Sequence, residues 1–192
     1  VRLTISPLTF ANRLIRPRIW RYLPSSTRAM SPVSYHPLSA WNFAFPAATS
    51  AAKETLGIVS AENMQRLADA GVVRFNHNLE TSERHFPDIV TTHKYEDRVK
   101  TIEAGLKAGM GVCAGGIFGI GETEDDRIDM ALELRRLGVD MVPMNFLHPI
   151  EGTPLGNAEK LSPRQILRII ALYRFILPKT HLKVAGGRVL NL

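Results

Sequence analysis

Regular alternation of strand-like and helix-like segments is the feature that most restricts the fold of this chain. The predicted elements are helices at residues 60–70, 95–108, 123–137 and 162–177, and strands at residues 72–76, 110–118, 139–146 and 182–185. Each unit takes about 30–40 residues, which suits a parallel strand with a helical crossover. A doubly wound sheet and a (β/α) barrel both satisfy this α/β pattern. A complete barrel needs about eight units, so about four units would form a partial barrel of the TIM type.

The helix boundaries of this alternation carry recognisable end signals. Ser60 and Thr123 precede predicted helices and can cap them through their hydroxyl groups. Ser162 is followed by a proline, which is favoured in the first helical turn. Gly71 and Gly138 follow the ends of two helices, where glycine accepts the left-handed conformation. These signals support the predicted helix boundaries independently of the hydrophobic pattern.

Residues 1–52 differ in composition from the rest of the chain. They contain six of the 24 Lys and Arg residues and no acidic residue, so residues 53–192 hold 18 basic and 18 acidic side chains. A balanced domain has no excess positive charge for phosphates, and we therefore expect no nucleic-acid partner. An Arg- and Ser-rich segment without acids is typical of an organellar presequence. We interpret residues 1–52 as an irregular leader, either a presequence or a sequence artefact.

Other compositional features bear on the cellular setting. No run approaches the roughly 18 apolar residues of a membrane span, so we expect no membrane partner. The single cysteine excludes an internal disulfide and weakly favours a reducing compartment. The default prediction is a cytoplasmic protein, and the alternative is the mitochondrial matrix if residues 1–52 are a presequence.

Polar or reactive residues follow each of the four predicted strands. They are Asn76, His77, Asn78 and Glu80 after the first, Cys113 and a glycine-rich turn in the second, Asn145 and His148 after the third, and Arg188 after the fourth. Each has a structural explanation, such as turn formation or packing of a small thiol. His85, His93 and His181 lack metal-ligand spacing, and we interpret them as surface or loop residues. Parallel strands end at one edge of a sheet, so the joint placement predicts a functional site there.

Six ordered segments resemble one family. They are FNHNLETS (75–82), IVTTHKYEDRV (89–99), VCAGGIFGIGET (112–123), VPMNFLHPIEGTPL (142–155), LRIIALYRFILP (167–178) and KVAGGR (183–188). In this order they resemble the biotin synthase family of radical S-adenosylmethionine enzymes, over residues 53–192. A related enzyme of hydrogenase maturation shares some of these segments, but the Asn-His-Asn-Leu pattern favours biotin synthase. The resemblance implies a (β/α) barrel, a homodimer and sulfur insertion into dethiobiotin to form biotin.

The resemblance also implies a site for S-adenosylmethionine. Asn78 and Glu80 would hold its ribose, and Arg98 would bind its carboxylate. The residues that fit the family's GxIxGxxE strand and turn, which supports the adenosyl group, are Gly115, Ile117, Gly119 and Glu122.

Substrate and cluster ligands are implied in the same way. Asn76, Asn78 and Asn145 would form hydrogen bonds with dethiobiotin. Cys113 and Arg188 would be ligands of the [2Fe–2S] cluster that donates sulfur and are the implied catalytic residues. A thiolate is a usual ligand for such a cluster, whereas the arginine ligand rests on the resemblance alone.

Two departures from the family pattern affect the expected activity. The CxxxCxxC loop that holds the family's [4Fe–4S] cluster is absent from this chain. Lys53 stands near the position of another cluster cysteine, so one of three thiolates for the second cluster is present. We therefore expect the chain alone to be inactive. The alternatives are a non-catalytic remnant and an α/β domain that binds a small ligand.

Overall fold

The computed structural model describes residues 53–54 and 56–188. These residues form a parallel sheet whose strands lie side by side in chain order. Its strands are β1 (Lys53–Glu54), β2 (Arg74–Asn76), β3 (Gly111–Cys113), β4 (Gly116–Phe118), β5 (Met141–Phe146) and β6 (His181–Val184). β3 and β4 share one strand position, because both pair with β5. The spatial order is therefore β1, β2, β3–β4, β5 and β6. A doubly wound sheet would reverse its strand order, so the sequential order confirms the partial barrel.

Five helices connect these strands. They are α1 (Ala61–Asp69), α2 (Phe86–Ile89), α3 (Tyr95–Lys107), α4 (Glu124–Leu137) and α5 (Pro163–Ile176). The hydroxyls of Ser60, Thr123 and Ser162 each accept a hydrogen bond from the third residue of their helix, as the sequence predicts. Gly138 ends α4 in the left-handed conformation, with a φ of 73°. Among the described residues, no helix has the length and apolar character to cross a membrane.

Alternate strand residues pack against the helices and form the hydrophobic core. Phe75, Val112, Val142 and Met144 are fully buried in clusters with helix residues. The residues between them point to the opposite face of the sheet, because strand side chains alternate. We call this opposite face the inner face, and it carries Asn76, Cys113, Ile117, Met141 and Asn145. All described residues belong to one compact unit, and the predicted leader at residues 1–52 lies outside them.

The predicted strand at residues 110–118 is interrupted in the structure. Gly115 O accepts hydrogen bonds from both Leu79 N (2.9 Å) and Glu80 N (3.2 Å), so two residues oppose one. Glu80 has a φ of 71°, a left-handed conformation that is uncommon for a residue with a side chain. This is a β-bulge, which bends a strand and redirects its side chains. The bulge therefore turns the chain after β2 beside the break between β3 and β4.

Candidate active site at the carboxyl ends of the strands

Strand register brings Asn76 and Cys113 together. Asn76 of β2 is paired with Cys113 of β3, which in turn is paired with Met141 of β5. Paired residues of neighbouring strands point to the same face of a sheet. Cys113 is 8% exposed. An amide and a thiol thus lie side by side on the inner face, with Asn76 at the carboxyl end of β2 and Cys113 level with the first residue of β5.

Two asparagine side chains link neighbouring strand ends. Asn78 Oδ1 accepts a hydrogen bond from Gly115 N at 3.2 Å. Asn145 Nδ2 donates to Gly116 O at 3.2 Å, and Asn145 Oδ1 accepts from Gly186 N at 2.9 Å. The exposed Arg188 follows Gly186 by two residues. The described strand ends, from β2 to the segment after β6, are therefore connected along one edge.

Arg98 reaches this edge from α3. Its Nη1 donates to Asn78 O at 2.8 Å and lies 3.2 Å from Glu80 Oε1. Its Nε donates to His93 Nε2 at 2.9 Å. The guanidinium carbon lies 5.7 Å from the centre of the Phe86 ring, within range of a cation–π interaction. His93 lies in the loop before α3, as the sequence predicts, and the bend there brings its ring against Arg98.

Glu80 lies at the edge of a partly buried site. Burial raises the pKa of its carboxyl above the usual value, while the charge of Arg98 and a hydrogen bond from Asn78 oppose that rise. The side chains of Arg98 and Glu80 are 15% and 20% exposed. The pair therefore places a guanidinium and a carboxyl group within reach of a polar ligand at the sheet edge.

The glycine turn is supported by a buried ion pair. Glu122 accepts hydrogen bonds from Gly119 N (2.9 Å) and Ile120 N (2.8 Å). Arg127 of α4 pairs with the same carboxylate through Nε and Nη2, both at 2.8 Å. Gly119 has a φ of 90°, a conformation that glycine adopts readily and residues with a side chain rarely adopt. Glu122 thus stabilises the turn. Of the residues that fit the GxIxGxxE pattern, the half-buried Ile117 lies on the inner face and can contact a ligand.

A second polar network joins the loop after β2 to α4. Ser82 Oγ donates to Asp126 Oδ1 at 2.6 Å, and Arg84 Nη2 donates to the same oxygen at 2.7 Å. Burial alone would raise the pKa of Asp126, but the hydrogen bonds from Ser82, Thr123 and Arg84 hold it below its usual range. The contacts of Ser82 and Arg84 with Asp126 were not identified from the sequence, because partners separated by more than forty residues leave no local pattern.

His77 is the buried titratable group of this edge. It is 6% exposed, and its ring stacks on Phe75 with 5.7 Å between ring centres. Its Nε2 has no hydrogen-bond partner among the described residues. Burial, assisted by the charge of Arg98, lowers the pKa of His77 to about 4. The imidazole is therefore neutral at physiological pH.

Acidification is expected to destabilise the protein through His77. The folded protein protonates His77 near pH 4, whereas an unfolded chain does so near 6.5. The contribution of His77 to the free energy of unfolding should be fully present above about pH 6.5. It should be lost as the pH falls towards 4, which lowers the free energy of unfolding by about 2 kcal/mol after solvent screening. Urea unfolding at about pH 7.5 and pH 5 measures this loss. His77→Phe should lose clearly less stability over the same interval, and an equal loss in both proteins would contradict the assignment.

The residues of the edge fit some of the implied groups and not others. A ribose and a carboxylate suit the Asn78, Glu80 and Arg98 cluster, which offers donors, an acceptor and a cation. Among the described residues, no three His, Cys, Asp or Glu side chains come together to hold a metal ion. Cys113 is the one cysteine of the chain, so these residues do not fit a cluster held by three thiolates.

The class defined by this fold and edge is the radical S-adenosylmethionine barrel. Residues 48–134 match the family model for the radical SAM superfamily, and residues 143–192 match the model for the biotin and thiamin synthesis associated domain. Solved structures share the fold at low sequence identity. Methylornithine synthase has a TM-score of 0.61 and 21% identity, over 68% of this chain and 39% of its own. The hydrogenase maturase HydG of Carboxydothermus hydrogenoformans has a TM-score of 0.58 and 18% identity, over 68% and 33%.

Within this class the chain is a homologue of biotin synthase. The enzyme of Heliobacterium modesticaldum is 56% identical over 134 residues, which are 70% of this chain and 41% of the relative. The enzyme of Geobacter sulfurreducens is 50% identical over 138 residues, 72% of this chain and 42% of the relative. The chain thus spans about two fifths of the length of the curated relatives that it matches. The family predicted from the six ordered segments is confirmed.

Proposed function

We propose that this chain contributes the dethiobiotin-binding and sulfur-donating part of a biotin synthase active site. The observation that carries the proposal is the placement of Asn76 beside Cys113 in paired strands, on the inner face that Asn145 shares where it joins β4 to the segment after β6. Amides can hold the ureido group of dethiobiotin through paired donors and acceptors. A neighbouring thiol is a reasonable anchor for a sulfur source.

S-adenosylmethionine would bind on the same edge. Asn78 and Glu80 would hold the ribose, Arg98 the carboxylate, and Ile117 would contact the adenosyl group. Gly115, Gly119 and Glu122 would shape the backbone around it without touching it. When bound, S-adenosylmethionine supplies the deoxyadenosyl group that removes hydrogen from a substrate in radical enzymes of this class, and the protein supplies orientation.

The cluster sites are only partly represented in this chain. Cys113 and Arg188 would ligate the [2Fe–2S] cluster, and the ligands for the [4Fe–4S] cluster are not among its residues. We therefore propose that the chain alone neither binds a [4Fe–4S] cluster nor forms biotin. The homodimer and the cytoplasmic compartment, with the mitochondrial matrix as its alternative, remain predictions.

A chimaera tests the proposal without requiring the missing ligands. The matching part of the Heliobacterium modesticaldum enzyme, 134 residues long, is replaced by the corresponding residues of this chain. We expect the chimaera to convert dethiobiotin into biotin and to support growth of a biotin auxotroph. Cys113→Ala in the chimaera should abolish biotin formation while leaving the [4Fe–4S] absorbance unchanged.

The control is Leu167→Ala, on the exposed surface of α5, which should retain biotin formation. A folded chimaera that holds its [4Fe–4S] cluster and binds S-adenosylmethionine but forms no biotin would refute the proposed reaction. That result would favour the alternative of a non-catalytic remnant or a small-ligand-binding domain.

A further inference from the structure

His93 and Arg98 form a hydrogen bond that requires one protonation state of the imidazole. Arg98 Nε can only donate, and it lies 2.9 Å from His93 Nε2, so Nε2 is the acceptor. His93 Nδ1 then carries the ring proton and donates to Thr92 Oγ1 at 2.9 Å. The contact with Arg98 therefore exists only with a neutral His93 in the Nδ1–H form.

This hydrogen bond completes the orientation of the Arg98 side chain. Nε is held by His93, and Nη1 is held by Asn78 O and Glu80. The Phe86 ring supports both partners, with its centre 5.7 Å from the His93 ring and 5.7 Å from the guanidinium carbon. Nη2 makes no hydrogen bond to the described residues and is left for a ligand. A guanidinium held on two sides presents its remaining donors to a carboxylate in one direction.

We infer that His93 is a positioning residue that makes binding of the S-adenosylmethionine carboxylate sensitive to pH. Neutral His93 aims Arg98 Nη2 at the carboxylate. Protonated His93 loses the acceptor lone pair, turns an N–H towards the guanidinium and releases Arg98. The inference rests on the proposed function for the identity of the ligand.

The charges around His93 come from three neighbouring elements. Arg98 on α3 and Glu80 after β2 are ionisable groups that face His93 from these elements. His77, at the end of β2, is neutral down to about pH 4. Phe86 on α2 contributes an uncharged ring. Histidine is the side chain that ordinarily changes its charge between pH 5 and 8, so ligand binding measured across that range tests the inference.

NMR on the full chain tests the inference in two steps. Long-range proton–nitrogen spectra identify the His93 tautomer, and the Arg98 Nε–H signal should shift as His93 is protonated. S-adenosylhomocysteine, which carries the same carboxylate, is then titrated at about pH 8 and about pH 6. We expect the affinity of the wild type to fall by up to about fourfold between these conditions. His93→Gln, whose amide oxygen accepts from Arg98 at every pH, should show a nearly constant affinity.

His85→Gln is the matched control, because His85 faces Asp88 and Ile120 O instead, and it should behave as the wild type does. An Nε2–H tautomer, or an equal pH dependence in wild type and His93→Gln, would overturn the inference and leave the proposed function standing. A folded chain that binds no S-adenosylhomocysteine at either pH would overturn both.

Discussion

Glu122→Gln is expected to lower the free energy of unfolding by about 3–5 kcal/mol, because it leaves the charge of Arg127 buried and unpaired. The two side chains are 2% and 13% exposed. The amide also has one oxygen instead of two to accept hydrogen bonds from Gly119 N and Ile120 N. Urea unfolding of the full chain, followed by far-UV circular dichroism, measures the loss.

A double-mutant cycle separates the ion pair from the turn. The double variant Glu122→Gln/Arg127→Met should lose less free energy of unfolding than the sum of the losses of the two single variants, by about 1–3 kcal/mol. The control is the ion pair of Glu133 and Arg136, which are 24% and 55% exposed. Glu133→Gln should cost about 1 kcal/mol or less. Equal losses for Glu122→Gln and Glu133→Gln would contradict the structural role of the buried pair.

Gly115→Ala is expected to destabilise the fold by more than about 3 kcal/mol, because overpacking against backbone cannot be relieved by a side-chain movement. A Cβ at this position would collide with the Pro143 carbonyl oxygen of β5. The strands would have to separate where β3 and β4 meet β5. The expected result is a large fall in the urea midpoint or an insoluble protein.

Gly57→Ala is the matched control, since a Cβ there meets nothing within 4 Å. It should leave stability within about 1 kcal/mol of the wild type. A Gly115→Ala protein as stable as Gly57→Ala would show that the strands at Gly115 and Pro143 are further apart than the structure has them.

Most of the described elements could be predicted from the sequence, but β1 and α2 could not. The predicted helices at residues 95–108 and 123–137 correspond to α3 and α4 within a residue or two, because apolar spacing and caps agree there. β1 and α2 have two and four residues, too few to show a period. The interruption of the strand at residues 110–118 depends on the bulge at Glu80, more than thirty positions earlier, and such a partner is invisible in local sequence.

Some features of the candidate site could also be predicted from the sequence, and others could not. The sequence predicts Asn76, Cys113 and Asn145 on one edge because parallel strands end together, but Cys113 pairs with the first residue of β5 and Asn145 with Ile117, four residues later. The partnership of His93 with Arg98 could not be predicted, because five positions along a bend followed by a helix define no common face. The buried pair of Glu122 and Arg127 was missed for the same reason, although the glycine turn before it was recognised.

Asn145 has a consequence for how the specificity of this edge could evolve. Its amide joins two strand ends through Gly116 O and Gly186 N. A substitution at this position would therefore loosen the connection between these strand ends as well as change the proposed binding surface. Met141 lies on the same inner face and is a half-buried side chain with no such structural role. Divergence towards new substrates should therefore accumulate at this apolar position, while the Asn145 amide is retained because it holds the two strand ends together.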